Sequence, residues 1–568
     1  MPDKRRDAST PKATPDESTS PTGKRWWQRL DFQNNEKHFR IAVLLVVLLA
    51  AILRGKVQLE SMHVALWNDE LLAAQWSTGR SLQHNDIAVG KMIDAPAPFT
   101  HLDNARPVWE LFTALKNDVQ APLHYMVLRG WREIFGSSDF AMQSLSLLAS
   151  TAAVLFLVLG VRHLSGPVTA LWAGLLMAAA PTQLLFAREV RPYALGVFFT
   201  LVTFWAFMLV WKKGGKWWHY VLLAAATFCS VFTHYYGVGV PLALAVWAVI
   251  VLRGRQRWLT LAAFAVAGLV FLGVWGRVLV AQYKNTQTSG NIEWMQDAPG
   301  EEVSLAMARA LGAPLRLFAD IGQWGDQEYI LIHALSFVIF GICTVRLVWR
   351  RELSLPWLMM VISLLIVAAL DIKSSSKQLT FSRFLIFASP GFYILIAGLV
   401  SRSPQRGWSQ LAPALVFAGA MVATFLGLTQ EKAQTFLRVP YDIVCDIYAT
   451  DGRPTEPIVF YTPGKRLLTQ NTYMGIAHYA RERPQEIMLL DMPPTGEQIA
   501  ALQQHESFWC MWMFYRRARA RFDGFVPVDR YLMPEAGMVI HFRRADRVDP
   551  RTYRAPELKI IGPAAQQP

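Results

Sequence analysis

The sequence predicts a polytopic α-helical membrane protein with a small α/β domain outside the bilayer. Hydrophobic residues make up 53% of its 568 residues and the mean hydropathy is +0.24, which is too apolar for a soluble protein of this length. The apolar residues fall in runs close to the length that crosses a bilayer. The formal net charge of +14 comes from basic residues at the ends of these runs, as in other membrane proteins, so nucleic-acid binding is not expected.

The N-terminal segment, residues 1–38, is polar and rich in Pro, Ser, Thr, Lys and Arg, and it lacks the apolar core and cleavage site of a signal peptide. It predicts a disordered cytoplasmic tail. The first apolar run, residues 39–53, has the basic residues Lys37 and Arg40 at its start, which places its N-terminus in the cytoplasm. The loop that follows, residues 54–120, is therefore expected to lie outside.

Further apolar runs predict the remaining helices of a transmembrane domain that covers residues 39–429. These runs are 140–161, 168–186, 193–211, 217–233, 238–252, 258–280, 330–348, 355–370, 384–400 and 411–428. With the first run they make about eleven spans of the usual length. The segment 122–135 is partly apolar but carries Arg129, Arg132 and Glu133, so we expect a juxtamembrane or short extra helix there, and a total of up to about thirteen spans.

Basic residues fall at alternate ends of the runs, as the positive-inside rule requires. The clusters are Arg162 with His163; Lys212, Lys213 and Lys216; Arg253, Arg255 and Arg257; Arg346, Arg350 and Arg351; and Arg402 with Arg406. With an odd number of spans, this pattern places the N-terminus in the cytoplasm and the chain after residue 428 outside.

Residues 430–568 predict the small external α/β domain. Strand-length apolar runs alternate with helix-like runs, with strands predicted at 457–461, 486–490, 507–513 and 537–542 and helices at 466–481 and 495–504. Cys445 and Cys510 lie in this domain. An oxidising compartment would permit one disulfide between them, and free buried thiols are the alternative.

Three acidic residues of the loop 54–120 are expected at the outer lip of the helix bundle. Asp69 and Glu70 are adjacent, and Asp118 lies shortly before the next apolar segment. A carboxylate at this place could act as a general base where a lipid-carried substrate meets an acceptor, so all three are candidate catalytic residues. The alternative for Asp69 and Glu70 is that they cap a helix that starts near Leu71.

Three arginines break the topology rule, because they fall at external helix ends. Arg188 and Arg191 share one turn, and Arg383 lies in another. A guanidinium group binds phosphate oxygens through a planar fork of donors, and such contacts gain strength where water is scarce. We therefore predict phosphate binding by this group. The alternative is snorkelling to lipid head groups or pairing with Glu189.

Aromatic residues are predicted on the same external side. Tyr193 follows the arginine turn, and His234 and Tyr235 end another apolar run. We predict that they contribute to substrate binding, and an interfacial aromatic belt is the alternative. His234 together with one of the acids could also hold a divalent metal ion, although the sequence has no metal-ligand spacing.

The order of these motifs resembles that of the glycosyltransferase C superfamily. The set is an Asp-Glu pair in the first external loop, a Pro-Leu-aromatic segment before the next helix, Ala-Arg-Glu-Val-Arg-Pro-Tyr at an external turn and His-Tyr-Tyr-Gly two spans later. The likeness covers roughly residues 41–428 and is nearest to bacterial dolichyl-phosphate-mannose-protein mannosyltransferase-like and aminoarabinose-transferase-like enzymes. Where the family often has Pro-Pro-Leu after a Lys or His, this chain has Ala121-Pro122-Leu123 after Gln120.

The resemblance implies a polyprenyl-phosphate-linked sugar as donor, transfer on the periplasmic side of a bacterial inner membrane, and Asp69 as general base with Glu70 beside it. Sugar transfer from a phosphate needs a base for the acceptor hydroxyl and cations for the departing phosphate, on opposite sides of the anomeric carbon. An inverting displacement needs one such base, whereas a retaining route needs a second carboxylate as nucleophile. We predict inversion, partly from the resemblance. A protein hydroxyl, lipid A, a cell-wall glycan and another lipid-linked glycan all stay open as acceptors.

Two other classes of protein fit parts of the sequence. A transporter or flippase of lipid-linked sugars would also be polytopic and rich in outward charges. Transporters, however, place ionisable residues near the bilayer midplane, whereas the spans here are nearly free of acids. A non-catalytic scaffold that displays the α/β domain would explain neither the arginines nor the acidic loop. The transferase is therefore the preferred hypothesis.

Overall fold

The structure is a computed structural model that describes most of the chain between residues 35 and 561. The described ranges are 35–60, 64–81, 87–288, 312–313, 316–317, 338, 341–342, 344–345, 353–401, 439–452, 455–462, 466–481, 484–513, 521–533 and 537–561. The predicted tail up to residue 34, the predicted span 411–428 and most of the predicted span 330–348 lie outside these ranges.

The described residues form helices along most of the chain, and all strands but one lie in its C-terminal part. The helices are α1 (Glu36–Glu60), α2 (Asn68–Ser77), α3 (Glu110–Ala114), α4 (Leu123–Phe135), α5 (Asp139–Ser165), α6 (Pro167–Ala179), α7 (Pro181–Arg188), α8 (Tyr193–Lys212), α9 (Trp217–Thr233), α10 (Gly239–Val251), α11 (Gly254–Thr288), α12 (Ser354–Ser374), α13 (Ser382–Leu385), α14 (Ser389–Val400), α15 (Tyr441–Asp451), α16 (Arg466–Tyr479) and α17 (Gly496–Leu502). The strands are β1 (Met92–Asp94), β2 (Ile458–Tyr461), β3 (Glu486–Leu490), β4 (Ser507–Met513), β5 (Phe525–Met533), β6 (Gly537–Arg544) and β7 (Leu558–Ile560).

Within the described ranges, six helical segments are long and apolar enough to cross a membrane. They are α1, α5, α8, α11, α12 and the segment Ser382–Leu399, which combines α13 with most of α14. The bent pair α6 and α7 would make a seventh span, and α9 and α10 are shorter apolar helices. A multi-pass helical membrane protein is thus confirmed, whereas the total of about eleven to thirteen spans stays a prediction.

The first membrane helix starts at Glu36, inside the segment 1–38 that the sequence predicted as a disordered tail. Asn35 caps this helix, because its Oδ1 accepts hydrogen bonds from the backbone N–H of Lys37 at 3.0 Å and of His38 at 3.2 Å. Glu36 in the first turn interacts favourably with the positive end of the helix dipole. The capping residue therefore sets the start of the helix, ahead of its first apolar residue.

The run predicted as a single span at residues 168–186 consists of two helices, α6 and α7, that meet at 57°. Pro181 explains the break, since proline has no backbone N–H and its ring clashes with the preceding turn. The buried Arg54 of α1 binds at this break. Its Nη1 donates to the carbonyl oxygen of Ala178 at 3.2 Å, and its Nε donates to Ser150 Oγ of α5 at 2.7 Å. The break is therefore held by α1 and α5.

The apolar helices share one hydrophobic core. Helix α5 packs against α1, α6 and α8, α8 packs against α9, and α12 packs against α10 and α14. The close approach of α5 and α8 depends on Gly160, because a Cβ atom there would lie 2.5 Å from the ring of Phe204. Small residues at such crossings are typical of membrane helices.

The loop after α1 folds into the short helices α2, α3 and α4. Helix α4 covers the segment 122–135 that was predicted as a juxtamembrane or short extra helix, and it buries one face. On that face Arg132 ties three segments together: its Nη1 donates to the carbonyl oxygen of Ala74 in α2 at 2.9 Å, and its Nη2 donates to that of Thr100 at 2.6 Å. The position of α2 is thus linked to that of α4.

The C-terminal residues form a seven-stranded mixed sheet with the order β1-β3-β2-β4-β6-β5-β7. Strand β2 is parallel to β3 and β4, and β6 is antiparallel to β4 and β5. Strands β2, β3, β4 and β6 lie where the sequence predicted strands. Strands β5 and β7 and helix α15 were not predicted. Strand β1 comes from the loop 54–120, where Ile93 pairs with Ile487 of β3. The small α/β domain is confirmed. Its sheet contains one strand, β1, that comes from outside residues 430–568.

Glu456 is a buried acid of this domain, and both of its carboxylate oxygens have polar partners. Glu456 accepts a hydrogen bond from Trp509 Nε1 at 2.9 Å, and His541 Nε2 lies 3.2 Å from the other carboxylate oxygen. Cys445 on α15 and Cys510 on β4 are both buried free thiols. The structure therefore has the arrangement without a disulfide, which was one of the two alternatives.

Candidate functional site

Asp69 lies in the first turn of α2, in the loop that follows α1. Its Oδ2 is 3.4 Å from Arg191 Nη2 and 3.5 Å from Arg383 Nη1. The Asp69 side chain is 27% exposed, whereas that of Arg191 is 5% exposed. The carboxylate is thus open to solvent at a point flanked by two cations. These three residues are called the Asp69 cluster below.

Arg191 lies in the turn between α7 and α8 and has several further contacts. Its Nη1 donates to the backbone oxygen of Asp69 at 3.2 Å, and its guanidinium lies 5.7 Å from the centre of the Tyr193 ring. The backbone N–H of Arg191 donates to the carbonyl oxygen of Glu189 at 2.8 Å, which closes the turn. A charge this deeply buried needs such partners. Arg191 is therefore fixed beside Asp69.

Arg383 reaches the cluster from a distant part of the chain. It lies on the short helix α13, and its guanidinium is 5.1 Å from the ring centres of both Phe381 and Phe384. Its side chain is 17% exposed. The structure thus brings two of the three predicted phosphate-binding arginines onto the predicted catalytic carboxylate. The third, Arg188, is the buried last residue of α7.

Glu70 is fully buried, and backbone donors bind both of its carboxylate oxygens. Its Oε2 accepts a hydrogen bond from the N–H of Trp67 at 3.2 Å, which caps α2, and its Oε1 accepts one from the N–H of Val190 at 2.9 Å. The cap agrees with the alternative weighed for the acidic pair. The bond to Val190 was not predicted, because the α7–α8 turn is far from α2 in sequence.

Asp118 follows a short turn, Leu115–Asn117, and is partly buried. Its Oδ1 accepts a hydrogen bond from the N–H of Val119 at 2.7 Å. Burial raises the pKa of Asp118 to about 6, and the negative charge of Asp69 acts in the same direction. The Val119 N–H and the positive charge of Arg191 oppose the shift. Asp118 therefore lies within electrostatic reach of the Asp69 cluster.

Replacing Asp118 by Asn is expected to stabilise the protein more at pH 7 than at pH 4. Because the folded-state pKa is raised, the stability that this carboxyl contributes is present below about pH 4 and is lost as the pH rises through about 6. Asn does not titrate. The measurement is the Tm of both proteins in detergent at the two pH values, with the exposed Asp94→Asn of β1 as control. An equal Tm difference at both pH values would contradict the raised pKa.

Tyr193 and His234 form a ring-packed wall beside Arg191. The His234 ring lies 5.6 Å from the Tyr193 ring and 5.0 Å from the Phe387 ring, measured between centroids. Gly196 makes room for this packing, since a Cβ atom there would lie 2.7 Å from the Phe387 ring. Both predicted side chains therefore lie next to the Asp69 cluster.

Tyr235 points in another direction, toward α11. Its hydroxyl donates to Gln282 Oε1 at 2.5 Å and accepts from Trp275 Nε1 at 2.7 Å. Gln282 in turn donates to the carbonyl oxygens of Leu115 at 2.7 Å and Gln120 at 2.9 Å. Tyr235 thus supports the loop that carries Asp118 and does not pack against the Asp69 cluster.

Metal binding was left open by the sequence. In the part of the chain that the structure describes, no group of three or more His, Cys, Asp or Glu side chains is arranged to hold a metal ion. The partners of Asp69 within the cluster are arginines, which cannot act as metal ligands while protonated. The cations that the described residues place beside Asp69 are the guanidinium groups of Arg191 and Arg383.

Asp371, near the end of α12, was missed by the sequence analysis. It is buried, and its carboxylate accepts hydrogen bonds from Ser376 Oγ at 2.7 Å, from the N–H of Gln378 at 2.8 Å and from the N–H of Leu379 at 2.9 Å. The predicted span ended at residue 370, so this acid counted as loop. An acidic residue in the last turn of a helix opposes the helix dipole, and that signal could have identified it.

The fold and the site together define a polytopic membrane protein whose helix bundle carries, at one end, a partly exposed carboxylate between two arginines. Residues 119–278 match the family model of the dolichyl-phosphate-mannose-protein mannosyltransferases. This segment contains Arg191 and His234, whereas Asp69, Asp118 and Arg383 lie outside it. None of the curated protein sequences gives a significant match.

Solved structures give a match over most of the chain. ArnT from Cupriavidus metallidurans in the apo state has a TM-score of 0.53 at 14% sequence identity, covering 89% of this chain and 99% of that one. The same enzyme bound to undecaprenyl phosphate has a TM-score of 0.49 at 14% identity with the same coverage. The oligosaccharyltransferase of Archaeoglobus fulgidus in the apo form has a TM-score of 0.45 at 12% identity, covering 83% of this chain and 66% of that one.

The chain therefore has the fold of ArnT, with a helical membrane bundle and a C-terminal mixed sheet domain. The family match and the fold match together confirm the resemblance to glycosyltransferase C enzymes that the sequence predicted.

Proposed function

We propose that this chain is an integral membrane glycosyltransferase that moves a sugar from a polyprenyl-phosphate donor to an acceptor of the cell envelope. The observation that carries the proposal is the Asp69 cluster, in which one accessible carboxylate meets two largely buried guanidinium groups. A base and a phosphate-binding pair are the two parts that this reaction needs. The mannosyltransferase-like segment and the ArnT fold support the same assignment.

The arginines are assigned to the donor phosphate. A sugar linked to polyprenyl phosphate is a phosphodiester with one negative charge, and the polyprenyl phosphate that leaves has up to two. Arg191 and Arg383 offer fork-shaped donors in a largely water-depleted place, where they stabilise the charge that develops on the leaving group. Tyr193 and His234 form the wall beside Arg191 and are assigned to substrate binding.

Asp69 is assigned as the general base. The acceptor hydroxyl oxygen attacks the anomeric carbon, Asp69 takes its proton, and the bond between the anomeric carbon and the phosphate oxygen breaks with its electron pair on the phosphate. A bound phosphate would compete with Asp69 for the guanidinium donors. Donor binding is therefore expected to release the Asp69 carboxylate toward the acceptor.

Inversion of configuration is the proposed outcome, because one base is sufficient for a direct displacement. A retaining route needs a second carboxylate at the anomeric carbon. Glu70 has both oxygens bonded to backbone N–H groups, which leaves Asp118 as the neighbouring candidate. Asp118 is assigned instead to the electrostatics of the site, as a partly buried acid whose charge is felt by Arg191.

The proposed orientation has the N-terminus in the cytoplasm and the Asp69 cluster on the periplasmic face of a bacterial inner membrane. The basic residues at alternate helix ends and the family resemblance support it. The transmembrane domain is assigned to residues 39–429 and the periplasmic α/β domain to residues 430–568, to which β1 is added from the loop 54–120. The acceptor is a lipid, a glycan or a protein of the envelope.

The test is whether purified protein cleaves the donor. The full-length protein in lipid nanodiscs is incubated with labelled undecaprenyl-phosphate sugars, presented one sugar at a time, together with an envelope extract. We expect free undecaprenyl phosphate and label on an envelope component for at least one sugar. A transporter or flippase breaks no bond, so a wild-type protein that releases no undecaprenyl phosphate with any donor and extract would favour that alternative function.

A further inference from the structure

We infer that two buried carboxylates outside the Asp69 cluster, those of Glu70 and Asp371, are positioning residues. They hold Arg191 and Arg383 against Asp69. This inference rests on the proposed function, because it concerns the same phosphate site. Each carboxylate binds backbone N–H groups of a loop that carries one of the two arginines.

Glu70 acts on the Arg191 side. Its Oε1 binds the N–H of Val190, the residue directly before Arg191, while Glu70 itself directly follows Asp69. The Glu70–Val190 hydrogen bond of 2.9 Å therefore joins the chain neighbours of the two residues whose side chains form the ion pair. Its second oxygen is fixed by the Trp67 N–H, so the carboxylate is anchored to α2 while it holds the turn.

Asp371 acts on the Arg383 side. The chain leaves α12 through Ser375, which has a left-handed conformation with φ of 49°, and the following loop then folds back onto the Asp371 carboxylate. The carboxylate binds Ser376 Oγ and the N–H groups of Gln378 and Leu379, which begin a short turn, Gln378–Thr380. Three donors from one loop thus converge on one buried acid.

Local hydrogen bonds continue from that turn to Arg383. The N–H of Phe381 donates to the carbonyl oxygen of Gln378 at 3.0 Å, and the N–H of Phe384 donates to that of Phe381 at 3.2 Å. Arg383 lies between these two residues. Its guanidinium is 5.1 Å from the Phe381 ring, so the backbone turn and the ring contact fix the same side chain. A continuous series of hydrogen-bonded residues thus links the Asp371 carboxylate to Arg383, so the position of the one constrains the position of the other.

Burial of the Glu70 and Asp371 carboxylates is unfavourable unless their hydrogen-bond donors are in place. A buried carboxylate has lost its hydration, and Asp371 in the last turn of α12 also faces the negative end of the helix dipole. In each case at least one compensating hydrogen bond comes from a loop that carries an arginine: from Val190 for Glu70, and from Gln378 and Leu379 for Asp371. An active site gains rate when such outer partners fix the orientation of the groups that touch substrate, and small displacements of those groups are costly.

The experiment measures the dissociation constant of undecaprenyl phosphate with the full-length protein in nanodiscs. Glu70→Gln and Asp371→Asn keep the side-chain size and one acceptor oxygen, but they turn the other oxygen into an NH₂ group that faces a backbone N–H. Each change is expected to weaken binding roughly 10-fold, by analogy with the low end of the effect of losing a hydrogen-bond partner of a metal ligand. The Tm of each variant is measured in parallel.

Double-mutant cycles separate positioning from general stabilisation. The effect of Glu70→Gln should largely disappear in an Arg191→Ala background and persist in an Arg383→Ala background, and Asp371→Asn should show the opposite pattern. Independent sites combine within about twofold in affinity, so a coupling of roughly fivefold in the two matched pairs is the expected result. The Glu70 and Asp371 cycles are independent experiments. If one of the two variants does not fold, the cycle of the other still tests the inference.

The control is Glu456→Gln, which changes a buried, hydrogen-bonded carboxylate of the sheet domain. It should lower the Tm and leave the dissociation constant unchanged. Equal effects of the positioning variants in both arginine backgrounds would overturn the inference, since a purely structural role has no preferred partner. A wild-type protein that does not bind undecaprenyl phosphate would overturn the proposed function as well. A wild-type protein that binds undecaprenyl phosphate but transfers no sugar would contradict the proposed catalysis. The double-mutant cycles could still be measured on its binding.

Discussion

Replacing Asp69 by Asn is expected to lower the rate of sugar transfer roughly 10²- to 10⁴-fold, the usual loss when a general base is removed. Asn keeps the size of the side chain and its position in the first turn of α2, but it cannot take the proton of the acceptor hydroxyl. The measurement is the release of undecaprenyl phosphate from a labelled donor at saturating donor and acceptor extract, per milligram of folded protein.

Donor binding by this variant gives a second readout. Arg191 and Arg383 both pair with the Asp69 carboxylate, so its neutralisation leaves more of their donors for the phosphate. The dissociation constant of undecaprenyl phosphate should therefore stay the same or decrease while the rate falls. The control is Asp94→Asn, an exposed acid on β1 in the same loop. Undiminished release by the Asp69 variant would exclude Asp69 as the base.

Replacing Arg191 or Arg383 by Ala is expected to weaken binding of undecaprenyl phosphate roughly 10- to 100-fold, which corresponds to the loss of hydrogen bonds to a charged group. Arg188→Ala is expected to have a smaller effect, because the ion pairs of Asp69 are formed by the other two arginines. Lys at positions 191 and 383 should rescue only part of the loss, since an ammonium group lacks the planar fork.

The matched control for the arginine series is Arg106→Ala. Arg106 lies in the loop 54–120, is 37% exposed at the side chain and pairs with Glu110, so it tests whether any cation of this loop contributes to binding. Its replacement should leave the dissociation constant unchanged. If none of the three variants at positions 188, 191 and 383 changes the affinity, the arginines do not grip the phosphate, and snorkelling or structural pairing explains them.

Local patterns predicted much of the fold. The runs that became α5, α8 and α12 were visible as apolar stretches close to bilayer length, and the shorter helix α9 matches its predicted run 217–233. Strands β3 and β4 start and end at the predicted residues. The break between α6 and α7 was also readable in principle, since Pro181 lies inside the predicted run 168–186. Helices α8 and α9 also start at the predicted residues. The start of α1 was predicted less accurately, because the Asn35 cap decides it rather than the first apolar residue.

The candidate site was only partly predictable. Arg191 and Arg383 were identified because they lie at helix ends that the positive-inside rule predicts to be external, and Asp69 was identified by its position in the loop after the first apolar run. The convergence of the three side chains on one point is a tertiary property, since they come from α2, the α7–α8 turn and α13, which are far apart in sequence. Glu70 and Asp371 show the same limit: their bonds to Val190 and Leu379 form only when the bundle has brought those loops together.

Strand β1 has a consequence for how the protein is made. Met92–Asp94 pairs with Glu486–Leu490, so the outermost strand on one side of the sheet leaves the ribosome almost 400 residues before its partner. At roughly 5–20 residues per second, this strand waits some tens of seconds without a neighbour while the membrane helices are inserted. The sheet is thus completed late, after the bundle, and its C-terminal segment expressed alone would present β3 as an unprotected edge prone to aggregation.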